Sequence, residues 1–346
     1  MKPDPTTRPE TRTPIVGAPT IRDALRVVFS RQGVIEWISP GRKRFLRWSL
    51  FGGGFVTGTL LALLAVRLPE GSLDAVSILL AALIVVVVVA VYLAHDVTMG
   101  LELLEKRQVE SDLALARQIQ QRMLPNELPE IDGYSMGVYH EPARSVGGDA
   151  YDVLRLGDDR VFFAVTDVSG KGTAAAVLMS GVLARTRALA RTGMHLDELA
   201  QRLSAALVEE TETVHFAAMV FAVLDPRSGI LHYVNAGNQP PVLLRRDGSR
   251  MELEGAGLPV GLLPAVTYQA GRAYLGPGDR LAVVTDGIFD ADDAGGTLLQ
   301  ESELDDLVRS GDDAGEAVAA IRRRARARSI EGQFDDITVL VLSRSV

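Results

Sequence analysis

Four aspartates in the C-terminal two-thirds of this 346-residue chain each stand in a glycine-rich setting: Asp149 in GGDAYD, Asp167 in DVSGKG, Asp286 in TDG and Asp335 in FDDITVLV. Each adjoins a run that reads as a strand, so one fold could gather all four carboxylates. Clustered carboxylate oxygens hold hard divalent cations, and a pair of Mg²⁺ or Mn²⁺ ions is a common device for phosphoryl chemistry. The pattern points to a metal-dependent phosphatase. Glycines at 147, 148, 170, 172 and 287 keep the backbone thin where ions and a phosphate must come close. Single Asp-Gly pairs usually mark turns, but four such settings in this order are far more specific. Lys171 in DVSGKG invites comparison with a P-loop. Gly172 follows it instead of Ser or Thr, and no glycine sits five before Gly170, so a nucleotide site is rejected there.

The elements that must position these acids begin near residue 131, where short strands and turns set in. Candidate strands are 135–140, 153–156, 161–166, 216–224, 230–235, 242–245, 281–285 and 337–342, several joined by hairpin turns at 157–159, 225–229 and 247–249. Helical stretches are expected at 173–191, 196–211 and about 314–328. Hairpins interrupted by blocks of helix imply an α+β fold of antiparallel sheets covered by helices.

Ahead of this region lie two uncharged apolar runs, 49–66 and 75–94, each about the length needed to span a bilayer. Basic residues flank the pair (Arg42, Lys43, Arg44 and Arg47 before, Lys106 and Arg107 after), which predicts a transmembrane hairpin with both termini and the catalytic part in the cytoplasm. The expected division is a cytoplasmic leader at 1–44, two transmembrane helices within 45–95, a linker helix at 96–125 and a phosphatase domain at 126–346. Residues 21–38 could lie as an amphipathic helix on membrane lipid. Gly54 and Gly58 form a GxxxG pair that can bring two helices together. In the linker, Val109, Leu113, Ala116, Ile119 and Met123 recur at helical spacing and Glu102 can pair with Lys106, which suits either a dimeric coiled coil or a helix packed on its own domain.

A net charge of −8 argues against nucleic acid as a partner, and the basic run RRRARAR at 322–328 reads as a solvated helix face. The absence of cysteine excludes disulfides, thiolate zinc sites and cysteine-nucleophile phosphatases. Five histidines (His95, His140, His195, His215 and His232) show no ligand spacing and read as structural or solvated.

The motifs ARQIQQRMLP, GGDAYDV, DVSGKGTAAAVLM, YVNAGNQPPVLL, GLPVGLL, GPGDRLAVVTDG and DDITVLVL, in this order over residues 114–342, resemble the bacterial SpoIIE/RsbU-type members of the PPM (PP2C-like) serine/threonine phosphatases. The resemblance implies a PP2C-like antiparallel β-sandwich flanked by helices in α-β-β-α order, with two Mn²⁺ or Mg²⁺ ions at one end. It implies metal ligands at Asp149, Asp167, the backbone carbonyl of Val168, Asp286 and Asp335, with Asp336 in support. Arg144 stands where such phosphatases can carry a phosphate-gripping arginine. The implied substrate is phosphoserine or phosphothreonine on a regulatory protein, often of STAS type, in a sigma-factor switch at the bacterial inner membrane. Two positions depart from the pattern: Asn238 stands where relatives usually carry histidine, and Ala218 where many carry threonine.

Two other readings compete. A sensor histidine kinase would explain two spans and a signalling helix, but no phospho-acceptor proline, Asn-containing ATP box or GxG lid is visible. A non-catalytic module that keeps the phosphatase fold only to dock a partner is the stronger rival.

Overall fold

The computed structural model describes residues 75–210, 215–255, 257–289, 299–328 and 335–346. The chain divides into two compact units, Met1–Asp112 and Leu113–Val346. The leader, the first apolar run and its Gly54/Gly58 pair lie outside the described residues, so the expected hairpin is represented only by its second span. That span and the linker are one unbroken helix, α1 (Ala75–Met123), of 49 residues. At 1.5 Å per residue it is about 73 Å long. Among the described residues it is the one helix long and apolar enough to cross a membrane; its apolar 18-residue stretch has mean hydropathy 2.5, and none of that stretch is buried. Lys106 pairs forward with Glu110 at 3.9 Å, not back with Glu102. Pro125, two residues past Met123, cannot continue the helix.

In the second unit, strands β1 (Tyr134–Glu141), β2 (Ala150–Arg155) and β3 (Val161–Val168) come first. Helices α2 (Thr173–Ala190) and α3 (Leu196–Glu210) follow. Next are β4 (Ala217–Asp225), β5 (Ile230–Ala236), β6 (Val242–Leu244), β7 (Arg250–Glu252), β8 (Gly271–Tyr274) and β9 (Arg280–Val284). Helices α4 (Glu301–Arg309) and α5 (Ala314–Arg328) and strand β10 (Ile337–Arg344) complete it. The strands form two five-stranded antiparallel sheets, ordered β1-β10-β9-β6-β7 and β2-β3-β4-β5-β8.

Side-chain alternation explains why the central strands are apolar almost throughout. In β3, Val161, Phe163 and Val165 point into the space between the sheets, where they meet Leu281, Val283, Leu340 and Leu342. Phe162 and Ala164 point the other way, onto Met179, Leu183, Leu199 and Leu203 of α2 and α3. Strand β10 divides likewise: Leu340 and Leu342 face the sandwich, whereas Val339 and Val341 pack on Ile321, Val318 and Leu304 of α5 and α4. Three apolar layers between four structural layers yield the α-β-β-α order expected of a PP2C-like α+β fold.

The expected strands and the helices at 173, 196 and 314 are present, with ends shifted by a few residues. The expected turns are tight: Asp159 (φ 64), Gly229 (φ 75) and Gly248 (φ 92) all take left-handed backbone. Missing from the sequence-based expectation are β7, β8 and α4. All three residues of β7 are exposed and β8 buries only Ala273, so neither carries an apolar period; α4 is amphipathic, but its nine residues are mostly polar and bury only Leu304 and Val308, too short a run to stand out.

Candidate metal centre

Antiparallel pairing gathers the acids. Ala150 pairs with Thr166, which sets the start of β2 beside the end of β3, and Val339 pairs with Val284, which sets the start of β10 beside the end of β9. Asp149 immediately precedes β2, and Asp167 is the penultimate residue of β3. Asp286 opens a single 3-10 turn (Asp286–Ile288) just after β9, and Asp335 and Asp336 lead into β10. Each sheet thus contributes acids at one end.

Asp149 is 2% exposed, and its Oδ2 accepts hydrogen bonds from the hydroxyls of Thr285 (2.8 Å) and Thr338 (2.7 Å) in the opposite sheet. The Thr285 hydroxyl also accepts from the Thr338 backbone N–H at 2.9 Å, so the two threonines are held as a pair. Asp336 clamps the β1–β2 loop: its Oδ1 accepts from the Ala143 N–H at 2.7 Å, and its Oδ2 from those of Gly148 at 2.6 Å and Asp149 at 3.3 Å. A Cβ on Gly147 would run into the Asp336 carboxylate, and one on Gly148 would stand 2.7 Å from the Val168 carbonyl oxygen. Only glycine lets these backbones come so close. Lys171 Nζ donates to Asp335 Oδ2 at 2.7 Å, while Asp286 is exposed. Arg144 is exposed on the loop that Asp336 anchors through Ala143.

Electrostatics make the crowding plain. Burial, then the neighbouring Asp167 and Asp336, push the Asp149 carboxyl well above the ordinary range, against the hydrogen bonds from Thr338 and Thr285. Burial also raises Asp167, to about 7, helped by Asp286, Asp335 and Asp336 and opposed by Lys171. No three of these side chains stand as a finished coordination shell among the described residues. The donor set is nonetheless all hard oxygen with surplus negative charge, and the ammonium on Asp335 marks where a cation is favoured. The residues therefore fit Mg²⁺ or Mn²⁺ in type and charge.

Several contributors escape a search for acids. Gln120, buried near the end of α1, donates from Nε2 to the Gly147 carbonyl (2.7 Å) and accepts from the Gly147 N–H at its Oε1 (3.2 Å). Its motif, ARQIQQRMLP, was visible, but nothing in a lone glutamine says what it will hold. Thr285 adjoins Asp286 and Thr338 lies two residues past Asp336, and a hydroxyl so near an acid of the candidate site is the signal that could have found them. His140, lowered to about 4 by burial, meets Thr338 Oγ1 at 3.0 Å. The two departures also lie close by. Ala218 pairs with Asp167 across the β3–β4 ladder, and Asn238 donates from Nδ2 to the carbonyl of Val284 at 2.9 Å, two residues before Asp286.

The layering and the acids at one end of the sandwich define a PP2C-like domain. The PP2C domain of SiaA from Pseudomonas aeruginosa superposes with a TM-score of 0.59 at 21% identity, over 70% of this chain and 99% of that one. The family model for stage II sporulation protein E (SpoIIE) matches residues 157–345, and the chain belongs to that family. Protein IcfG of Synechocystis sp. is 30% identical over 263 residues, 68% of this chain but only 42% of IcfG. Phosphoserine phosphatase RsbU of Bacillus subtilis is 25% identical over 258 residues, 74% of this chain and 75% of RsbU.

Proposed function

We propose that this chain is a membrane-associated, metal-dependent protein phosphatase that hydrolyses phosphoserine or phosphothreonine on a regulatory protein. The observation that carries the reading is the cluster at the end of the sandwich: acids from both sheets, of which Asp149 and Asp167 are raised by burial and by their acidic neighbours, with Lys171 the one ammonium bonded to them among the described residues. Two divalent cations are assigned to Asp149, Asp167, the Val168 carbonyl, Asp286 and Asp335. When bound, the ions would offset charge on the phosphoryl oxygens and make water acidic enough to attack phosphorus near neutral pH. The chain's own residues do the rest. Thr285 and Thr338 fix Asp149 by hydrogen bonds to one oxygen, leaving Oδ1 for a ligand. Asp336 and Gln120 set the path of the loop that carries Asp149. Arg144, exposed on that loop, is assigned to grip a phosphate with its guanidinium fork.

Similarity to RsbU, named a phosphoserine phosphatase, supports the substrate class, and the family resemblance supports a STAS-type regulator in a sigma-factor switch. The same reading keeps the division at 44, 95 and 125, a two-pass inner-membrane topology with the domain in the cytoplasm, and a homodimer through α1. Leu115 and Ile119 of α1 are exposed, which leaves apolar surface for a second copy.

The test is phosphate release by the full chain in detergent micelles from a phosphoserine protein and from p-nitrophenyl phosphate. Activity should require Mn²⁺ or Mg²⁺, stop with chelator and be lost in Asp286→Asn. Activity that survives both treatments would overturn the metal centre. Inactivity on every substrate under all metals would favour a docking module.

A further inference from the structure

We propose that the cavity bounded by the last turns of α1, the outer face of β1 and α5 is a second binding site, for an organic phosphate of nucleotide size. The cavity measures about 710 Å³, within the range of sites that enclose small molecules. Exposed guanidinium groups of Arg117, Arg322 and Arg323 stand on its rim, and Leu124, Val318 and Ala319 form an apolar floor. In a chain of net charge −8, this concentration of positive charge is local.

The basic run at 322–328 is thus not one solvated face. Arg324 turns away to pair with Glu303, and Arg326 is held by Glu141 through Nε (3.0 Å) and Nη2 (2.9 Å). Among the described residues Glu141 is the one carboxylate in the cavity lining, and His140 beside it is neutral at physiological pH because burial lowers it to about 4. Four guanidiniums therefore face one carboxylate. Arg117, Arg322 and Arg323 have no salt-bridged carboxylate among the described residues, so their donor forks remain for an anion. Guanidinium groups match phosphate oxygens two at a time, and the floor would take the apolar part of the ligand.

The cavity wall also touches the candidate metal centre from behind. Gln120 lines it and holds both backbone groups of Gly147. His140 lines it and meets Thr338, which donates to Asp149. An occupant would therefore bear on the loop that carries Asp149, through two side chains.

The test is calorimetric titration of the full chain in detergent micelles with ADP, in EDTA, so that neither bound metal nor catalysis enters. One saturable site is expected, weakened about tenfold or more in R322Q/R323Q, whose charge-assisted hydrogen bonds are gone. A319E, which sets a carboxylate on the floor, should weaken ADP similarly. Both changes lie on exposed or half-buried helix positions, and circular dichroism checks that the fold survives. D286N should bind ADP as the parent does, which separates this site from the candidate metal centre. Pyrophosphate should bind at least about tenfold more weakly than ADP, because it cannot use the floor. ADP should also slow amide exchange at Gly147 and Gly148. No saturable heat, binding that survives both cavity variants, or pyrophosphate bound as tightly as ADP would overturn the site; unchanged exchange at intact binding would overturn its link to the metal loop.

Discussion

Asp149 and Asp152 lie three residues apart, just before and within β2. Both are buried, yet their surroundings differ in one respect. Asp152 has its own cation: Arg187 of α2 donates from Nε at 2.8 Å and from Nη2 at 3.0 Å, and the Val153 N–H donates at 3.0 Å. The same Arg187 Nη2 also reaches the Met123 carbonyl at the end of α1. Asp149 has hydroxyl donors and, as neighbours, more acids. A buried carboxylate with a fixed cation is structure, whereas buried carboxylates without one are held ready for charge supplied from outside.

Asp149→Asn is the sharpest way to separate the two. It should lower phosphatase activity by more than the roughly 10–100-fold that changes around a metal's ligands cost, because it removes a ligand itself. The metal-free protein should melt higher near neutral pH, since an acid whose charged form is disfavoured by burial and by its acidic neighbours is gone. Arg187→Leu should do the reverse to stability, costing about 3–5 kcal/mol by leaving Asp152 buried and unpaired. Urea denaturation of both variants in EDTA checks the opposite signs. Equal and parallel losses of stability would break the contrast.

Proton binding tests the same difference. The folded-state value of Asp167, about 7, lies above the ordinary 3.8. An acid raised on folding stabilises the folded state at low pH and loses that contribution as pH rises through its folded value. The metal-free protein should therefore lose stability between about pH 4 and 7, by an amount on the order of a few kcal/mol. Mn²⁺ should restore it above pH 7, where the proton no longer competes. Melting at pH 5 and pH 8, with EDTA and with Mn²⁺, reads the effect, and Asp167→Asn should flatten the EDTA profile. A parent profile as flat as the variant's would count against the crowded cluster.

Much of this contrast could be read along the chain. Glycines beside acids and strand-like runs beside those glycines were enough to nominate Asp149, Asp167, Asp286 and Asp335, because backbone approach and apolar period are local properties. Hairpins interrupted by blocks of helix also announced antiparallel sheets covered by helices. What stayed hidden depends on contacts distant in sequence. Asp152 looked like another acid of GGDAYD until Arg187, 35 residues on, arrived to neutralise it. The hydroxyls that hold Asp149 come from 136 and 189 residues away. Strands β7 and β8 bury too few side chains for a period to show, and α4, though amphipathic, is too short and polar to stand out.

Gln120 yields the smallest effect and the finest resolution. Its amide satisfies both the N–H and the carbonyl of Gly147 in a buried setting, two residues before Asp149. Gln120→Ala leaves those two groups without partners, at a cost of about 1–3 kcal/mol. Gln120→Glu keeps an acceptor for the Gly147 N–H but places a carboxylate against the Gly147 carbonyl, so it should serve no better than alanine. If the glutamine acts by fixing the loop, both variants should weaken Mn²⁺ affinity, measured by calorimetry, more than they lower the melting temperature of the metal-free chain. A loss of stability with Mn²⁺ affinity unchanged would make Gln120 part of the Asp152–Arg187 kind of interaction, which holds the fold together, and not part of the site beside it.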